Sequence, residues 1–429
     1  MTAGSRLVLL AALVHGTCAA QNTPLTLDEA LTRAESLHPS LRLAQREIDA
    51  ARAEAREAGA LAWNNPQFSA ELRQRRLGQA NDADVSRRDA AIGISQTFET
   101  GGQAGARRQA TQAALTASQN AGDAARRELR AQVTQGFNRT LLLQERVKTE
   151  QQSQELLERA AALVRKRVEA GEDSRLDGNL ARVETERGAQ QQAQVRSQLL
   201  QARIGLATLL QLPPGTPPEV AGTPNLGPPP YGEAELLAAL ARHPRMLAAE
   251  AAAQAARSRL ALERGARSPD VTVGLTYSPE RGIDTRDRVT TLSISVPLPL
   301  FRNNEGAIGR AASEAERARL ERDALARELE GSVRSLWQQQ DDIVRRIGRL
   351  RDTVLPAAEE NQQLSLKALQ AGEIALGQYL LVRRQVLDAK RDLLDATAEL
   401  LQARSELEAT AGWPVVLPAL PVLTSRVTP

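Results

Sequence analysis

The second half of the chain echoes the first about 200 residues further on, so the fold must be built from two like units. Asp28-Glu29-Ala30-Leu31, followed by Leu37-His38-Pro39, is answered by Glu233-Ala234-Glu235-Leu236, followed by Arg242-His243-Pro244. Gly93-Ile94-Ser95 is answered by Ser293-Ile294-Ser295, and Glu169-Ala170-Gly171-Glu172 by Gln370-Ala371-Gly372-Glu373. The echoes keep their order. A unit this long is domain-sized rather than a short solenoid motif. The division it predicts is a first repeat over 21–211, a proline-rich connector over 212–232, a second repeat over 233–412 and an extended tail over 413–429.

Each half reads as helix, strand, strand, long helix, glycine-marked turn, helix. The first opens with a helix from Thr26 to Leu61, with Asp28 and Glu29 in its first turn and Asn64-Asn65-Pro66 as its stop. Phe68, Ala70 and Leu72 then alternate with Ser69, Glu71 and Arg73, and Ala90, Ile92, Ile94 and Phe98 alternate with Ala91, Gly93, Ser95 and Thr97. The second half repeats this with Val271, Val273, Leu275 and Tyr277, then Leu292, Ile294, Val296 and Leu298. The polar stretches Leu77 to Arg88 and Pro279 to Arg288 read as loops. Four strands of roughly 8–10 residues fit a transmembrane β-barrel, and the same alternation also describes a half-buried soluble sheet.

The helices narrow the choice. After Gly101-Gly102 and after Asn303-Asn304 the chain reads as helical to Ala170 and Ala371, each run about 100 Å long at 1.5 Å per residue. In the second run Leu325, Leu329, Val333, Leu336, Ile343, Ile347, Leu350 and Val354 fall at spacings of three, four and seven, a coiled-coil seam. Gly171 and Gly372 permit sharp turns, and returning helices run to Leu212 and Ala411. A returning helix and an opening helix stacked end to end would match the long helix beside them. Aromatics make up only 2% of the chain, too few for a compact core of this size and in keeping with long, thin, paired helices. Pro213, Pro214, Pro217, Pro218, Pro224 and Pro228 to Pro230 make the connector extended rather than a packed element.

The start reads as an export signal: Arg6, an apolar stretch from Leu7 to Val14, and Cys18-Ala19-Ala20 before Gln21. Cleavage after Ala20 removes the one cysteine, and lipidation of Cys18 is disfavoured by His15 and Thr17 nearby. The net charge of +3 comes from arginines interleaved with glutamates, which describes a solvated helical surface and not a nucleic-acid interface. Of three histidines, His38 and His243 hold equivalent positions before proline, which favours capping or packing over metal ligation. Gly101-Gly102 lacks the lysine of a phosphate loop, and no nucleophile–base constellation is present, so the chain reads as neither enzyme nor cofactor carrier.

A sheet in lipid tolerates no open edge, and four strands cannot close a barrel, so membrane-spanning hairpins would have to be pooled. A homotrimer would supply twelve strands around an aqueous bore, with Phe68, Ile92, Ile94, Phe98, Val273, Tyr277, Leu292 and Ile294 facing lipid. Phe68, Phe98, Tyr277 and Phe301 would form an aromatic girdle at the strand ends.

Taken together, Leu25-Thr26-Leu27-Asp28-Glu29-Ala30-Leu31 with His38-Pro39, Asn65-Pro66-Gln67-Phe68, Pro297-Leu298-Pro299-Leu300-Phe301-Arg302-Asn303, Val354-Leu355-Pro356-Ala357-Ala358-Glu359 and the two glycine turns resemble the TolC-like outer-membrane efflux proteins, most closely their CzcC-type cation-efflux branch. The resemblance implies a mainly α protein with a membrane β-barrel portion. The trimer would form a 12-strand β-barrel in the outer membrane of a Gram-negative bacterium and a long α-helical barrel in the periplasm. It also implies a periplasmic adaptor (a membrane fusion protein), an inner-membrane pump of the resistance-nodulation-division (RND) type, and passive conduction of substrate, heavy-metal cations in that branch. The turns at Gly171 and Gly372 would be the gated, adaptor-facing tips. In the family an aspartate follows each tip glycine by six positions, with another nine on in the second repeat. Asp177 keeps the first, whereas Gln378 and Leu381 stand in the second, and Arg175 and Arg182 offer an alternative polar tip beside Asp177. A periplasmic coiled-coil adaptor or scaffold, or the outer duct of a type I protein-secretion system, are the alternatives.

Overall fold

The computed structural model describes residues 24–79, 82–281 and 286–414. The export signal expected over 1–20 and the tail beyond 414 lie outside the described residues. The first half runs α1 (Leu27–Leu37), α2 (Pro39–Ala58), β1 (Gln67–Gln79), β2 (Asp82–Phe98), α3 (Gln103–Glu169) and α4 (Arg175–Leu209). The second runs α5 (Glu233–Ala239) with a 3-10 turn, α6 (Pro244–Gly265), β3 (Val271–Arg281), β4 (Arg286–Ser295), α7 (Glu305–Arg349), a π-helical turn (Leu350–Val354), α8 (Leu355–Ala371) and α9 (Leu376–Ala411).

The opening segment is two helices rather than the single one expected. His38 is extended, at φ −65° and ψ 132°, because the following proline disfavours the helical region. It then caps the second helix: His38 Nδ1 accepts from the Ser40 amide at 3.3 Å. His243 does the same for Arg245 at 3.1 Å, so the capping role expected of both histidines is present. At α1, Thr26 and Glu29 form a reciprocal capping box.

α3 has 67 residues, about 100 Å, and α4 and α9 have 35 and 36. In α7 the seam buries Leu329, Val333, Ile343 and Ile347, and the slot between Leu336 and Ile343 is filled by Gln340, also buried, which completes the heptad. The seam lapses after Ile347: Leu350 is half-buried and Val354 exposed. Pro356 accounts for this, since it cannot donate an amide and its ring crowds the carbonyl four residues back, and the preceding turn widens into the π segment.

Two further expectations are corrected. Leu77 to Arg88 and Pro279 to Arg288 are mostly strand, not loop: β1 and β2 are 13 and 17 residues long, β3 and β4 are 11 and 10. Their polar residues mislead because both faces carry polar side chains once the apolar rows end. The connector is extended, as its prolines require, but part of it is packed. Val220 and Tyr231 are buried, Leu25 and Val220 form a parallel bridge, and Gln144 bonds the Val220 backbone in both directions.

The helical cores are small and strung along the axis. One joins Ala30, Leu31 and Ala34 of α1 to Val133, Phe137 and Leu141 of α3. Another, at the far end, joins Val164 and Ala181 to Leu369, Leu376 and Tyr379. Glu35, buried between α1 and α3, takes Arg126 at 3.1 and 3.0 Å and Arg130 at 2.7 Å. Burial alone would raise its pKa, but the two guanidinium groups hold it below the usual carboxylate value.

Candidate functional site: the sheet face and the helical tips

The four strands form one antiparallel sheet in the order β1-β2-β3-β4. The register aligns Phe68 with Ile94, Ile94 with Leu275, and Leu275 with Leu292 in one row. Ala70, Ile92, Tyr277 and Thr290 form the next row, and Gln96, Val273 and Ile294 the row on the other side. One face is therefore largely apolar, with Gln96 and Thr290 as its polar members, from Phe98 up to Leu72–Ala90, about 27 Å along the strands. Leu72, Leu292 and Ile294 on it are 89%, 68% and 69% exposed. Among the described residues no helix is long and apolar enough to cross a membrane, which says nothing of a barrel. Within the described chain β1 and β4 each pair on one side only.

The opposite face is lined by small polar groups. Thr97 and Thr272 hydroxyls meet at 2.8 Å, and a Cβ on Gly93 would stand 2.8 Å from Ser69 Oγ. Where sheet meets helix, Gly101 and Gly265 press backbone to backbone: a Cβ on Gly101 would lie 2.0 Å from the Gly265 carbonyl oxygen. Arg107 pairs with Glu99 and lies 3.8 Å from the Trp63 ring, tying α3 to the sheet. The expected girdle is split. Phe68 stands at the start of β1, Phe98 ends β2 and Phe301 comes after β4, but Tyr277 sits inside the apolar band because β3 continues to Arg281.

At the other end the two repeats diverge. Both turns are made the same way. Gly171 and Gly372 have φ of +79° and +78°, and each helix closes with paired bonds to its last carbonyls, Glu172 N to Arg167 O at 2.8 Å and Glu373 N to Ala368 O at 2.9 Å. The next helix starts differently in each repeat. Ser174 caps α4, accepting from the Asp177 amide at 3.2 Å and donating to its carboxylate at 2.6 Å. Ala375 stands at that place before α9 and offers no side-chain cap.

Asp177 is thus engaged with its own helix terminus. Arg175, Arg182 and Gln378 are exposed, and neither arginine forms an ion pair with Asp177 among the described residues. Leu381 is 62% exposed. The group that joins the two tips is one the sequence did not single out, Arg167. It donates to the Leu369 carbonyl of α8 at 3.1 Å and pairs with Asp173 at 3.1 Å. It also lies over Gly372, where a Cβ would meet its guanidinium at 3.4 Å. Its counterpart in the second repeat is Ala368, so nothing periodic marked it.

Just above the tips a cleft of about 480 Å³ opens between α4 and α9, and Glu150, Gln154 and Arg383 line it. Glu150 holds Arg391 in a two-pronged pair at 2.7 and 2.8 Å. Arg383 donates to Ser153 Oγ at 2.8 Å, while burial lowers its pKa. Tyr379, beneath it, is fully buried with no partner for its hydroxyl among the described residues, and burial raises its pKa. No group of three or more His, Cys, Asp or Glu positioned to hold a metal occurs among the described residues.

An exposed apolar sheet carried on paired helices of this length is the build of an outer-membrane channel with a helical tunnel. The chain belongs to the Outer membrane efflux protein family, whose model matches residues 30–211 and 236–413. It is 27% identical over 368 residues to the Cobalt-zinc-cadmium resistance protein CzcC of Cupriavidus metallidurans, covering 85% of each chain. In fold it is similar to CusC (TM-score 0.74, 18% identity, 90% of this chain and 91% of that one) and to the outer membrane protein VceC from Vibrio cholerae (TM-score 0.76, 17% identity, 90% and 96%).

Proposed function

We propose that three copies pool their sheets into a twelve-stranded barrel and conduct heavy-metal cations passively from a periplasmic adaptor and an RND-type inner-membrane pump to the exterior. The observation that carries this is the sheet itself. Its apolar face is exposed, its two edge strands each pair on one side only within the described chain, and lipid forbids both open edges and unsatisfied backbone. The eight apolar positions expected to face lipid all stand on that exposed face. The helical tips at Gly171 and Gly372 form the gated, adaptor-facing end, with Asp177, Arg175, Arg182 and Gln378 on their surface. The likeness to a protein named for cobalt, zinc and cadmium resistance supports metal cations as cargo.

Light scattering of the membrane-extracted chain in mild detergent, corrected for bound detergent, tests the assembly. A trimeric mass is expected; a monomer or dimer that stays soluble without detergent would remove the pooled barrel. Cargo is tested by restoring zinc, cobalt or cadmium export to a strain lacking the chain. Restored export of an unrelated cargo alone would remove the metal assignment.

A further inference from the structure

Charge is sorted by face at the far ends of the two hairpins. Beyond the row Ala70–Ile92–Tyr277–Thr290, the rows continuing the apolar face are Leu72–Ala90, Gln74–Arg88 and Arg76–Ser86 in the first hairpin. In the second they are Pro279–Arg288 and Arg281–Arg286. Among the side chains described on these rows, Arg88 and Arg288 are present and no carboxylate is. Glu71, Asp89, Glu280 and Asp287, the acids of the same span, all fall on the opposite face, where Arg73 stands across from Asp89. Arg88 and Arg288 are exposed.

Height matters as much as sign. Arg288 lies one row beyond Tyr277 and Arg88 two rows beyond Ile92, about 7 and 14 Å along the strands. A lipid-facing arginine is costly at the bilayer midplane and nearly free at its edge, so the cluster begins where the hydrocarbon ends. A patch meant only for water would mix signs, as the opposite face does. A guanidinium fork matches phosphate oxygens two at a time, and beside an apolar band that bond is little screened.

We propose that these two outward arginines, Arg88 and Arg288 of each chain, form a belt that binds the phosphate groups of phosphorylated lipids in the outer leaflet of the outer membrane. The proposal rests on the reading that the sheet spans that membrane with its hairpin ends pointing away from the helical body. In the trimer the belt is repeated around the barrel and anchors its depth in the bilayer.

The test uses the full chain extracted in mild detergent and bisphosphorylated lipid A as probe, with dephosphorylated lipid A beside it, read by native mass spectrometry. The wild type is expected to bind the phosphorylated lipid at least about 10-fold more tightly, and R88Q/R288Q to lose about that factor. R73Q, which removes one positive charge from the opposite face, should bind as the wild type does. Equal binding of the two lipids, an unaffected R88Q/R288Q, or an equal loss in R73Q would overturn the proposal. Fractionation separates this from the underlying reading. A wild type absent from the outer-membrane fraction would overturn both, whereas failure of lipid discrimination in a chain that fractionates there overturns the belt alone.

Discussion

Replacing Arg167 with alanine should loosen the second helical tip, and it also removes an ion pair to Asp173 within the first. The guanidinium makes two bonds that cross between repeats or secure the turn, to the Leu369 carbonyl and to Asp173, and the Arg167 and Asp173 side chains are only 20% and 19% exposed. A charge-assisted bond sheltered to this degree contributes about 1.5–3 kcal/mol. A cation on the last carbonyls of a helix adds about 0.5–1 kcal/mol. Together, R167A costs about 2–4 kcal/mol of tip closure, a rise of about 30- to 1,000-fold in the open fraction at about 1.4 kcal/mol per tenfold. Hydrogen exchange at the Gly372 and Glu373 amides, which close the turn that Arg167 covers, reads this directly. Conductance of the assembled channel in a planar bilayer should rise with it. The exposed neighbour Arg165 supplies the control, because R165A removes the same charge without touching either bond. Exchange at 368–376 and conductance both unchanged in R167A would refute the latch.

Three other outcomes are expected. Installing the missing cap with A375S should slow exchange in the first turn of α9 by about 0.5–1 kcal/mol, matching what Ser174 does for α4. Proline at 171 or 372, where φ is near +78° and proline requires about −65°, should abolish export while the detergent-extracted trimer keeps its mass. Burial pushes the pKa of His243 below 6.5, opposed only by the bond to the Ala409 carbonyl, and the neutral ring both caps α6 and bonds Ala409 at 3.2 Å. The unfolded state therefore binds more protons below pH 6.5. Stability should be full above that pH and fall as acid drives the value down toward the folded pKa, and His243→Asn should flatten the melting-temperature curve there.

The architecture was legible because its signals are periodic. The heptad in α7, the alternation in each strand and the matched glycine turns all repeat at intervals that survive without any knowledge of contacts. Even Gln340, a polar residue in an apolar slot, left its trace as a seven-residue gap between Leu336 and Ile343. What stayed hidden was set by tertiary partners. The strand ends were unreadable because Gln74, Arg76 and Arg88 carry no apolar alternation, yet the ladder Gln74–Arg88 and Arg76–Ser86 holds them as strand. The connector reads as free because prolines dominate it, but Val220 and Tyr231 supply enough apolar surface to dock parts of it. Arg167 is one arginine among many on a helix rich in them. Only the fold shows that its side chain ends on another helix's last carbonyls.

The two repeats share a fold but not a stiffness, and the difference arises from a few residues. In the first hairpin α3 is unbroken for 67 residues and α4 begins with a serine–aspartate cap. In the second, Pro356 leaves a π turn at Leu350–Val354, and α9 begins at Ala375 with no side chain to satisfy its amides. α8, between these two weak points, is 17 residues, a rod of about 26 Å. Its free end is held by hydrophobic contact around Tyr379 and Leu369 and by Arg167 reaching across from the first repeat. Positions 378 and 381 carry Gln and Leu, and the acidic residue in that turn is Glu373. The second tip is therefore held in part by a contact that the first repeat supplies.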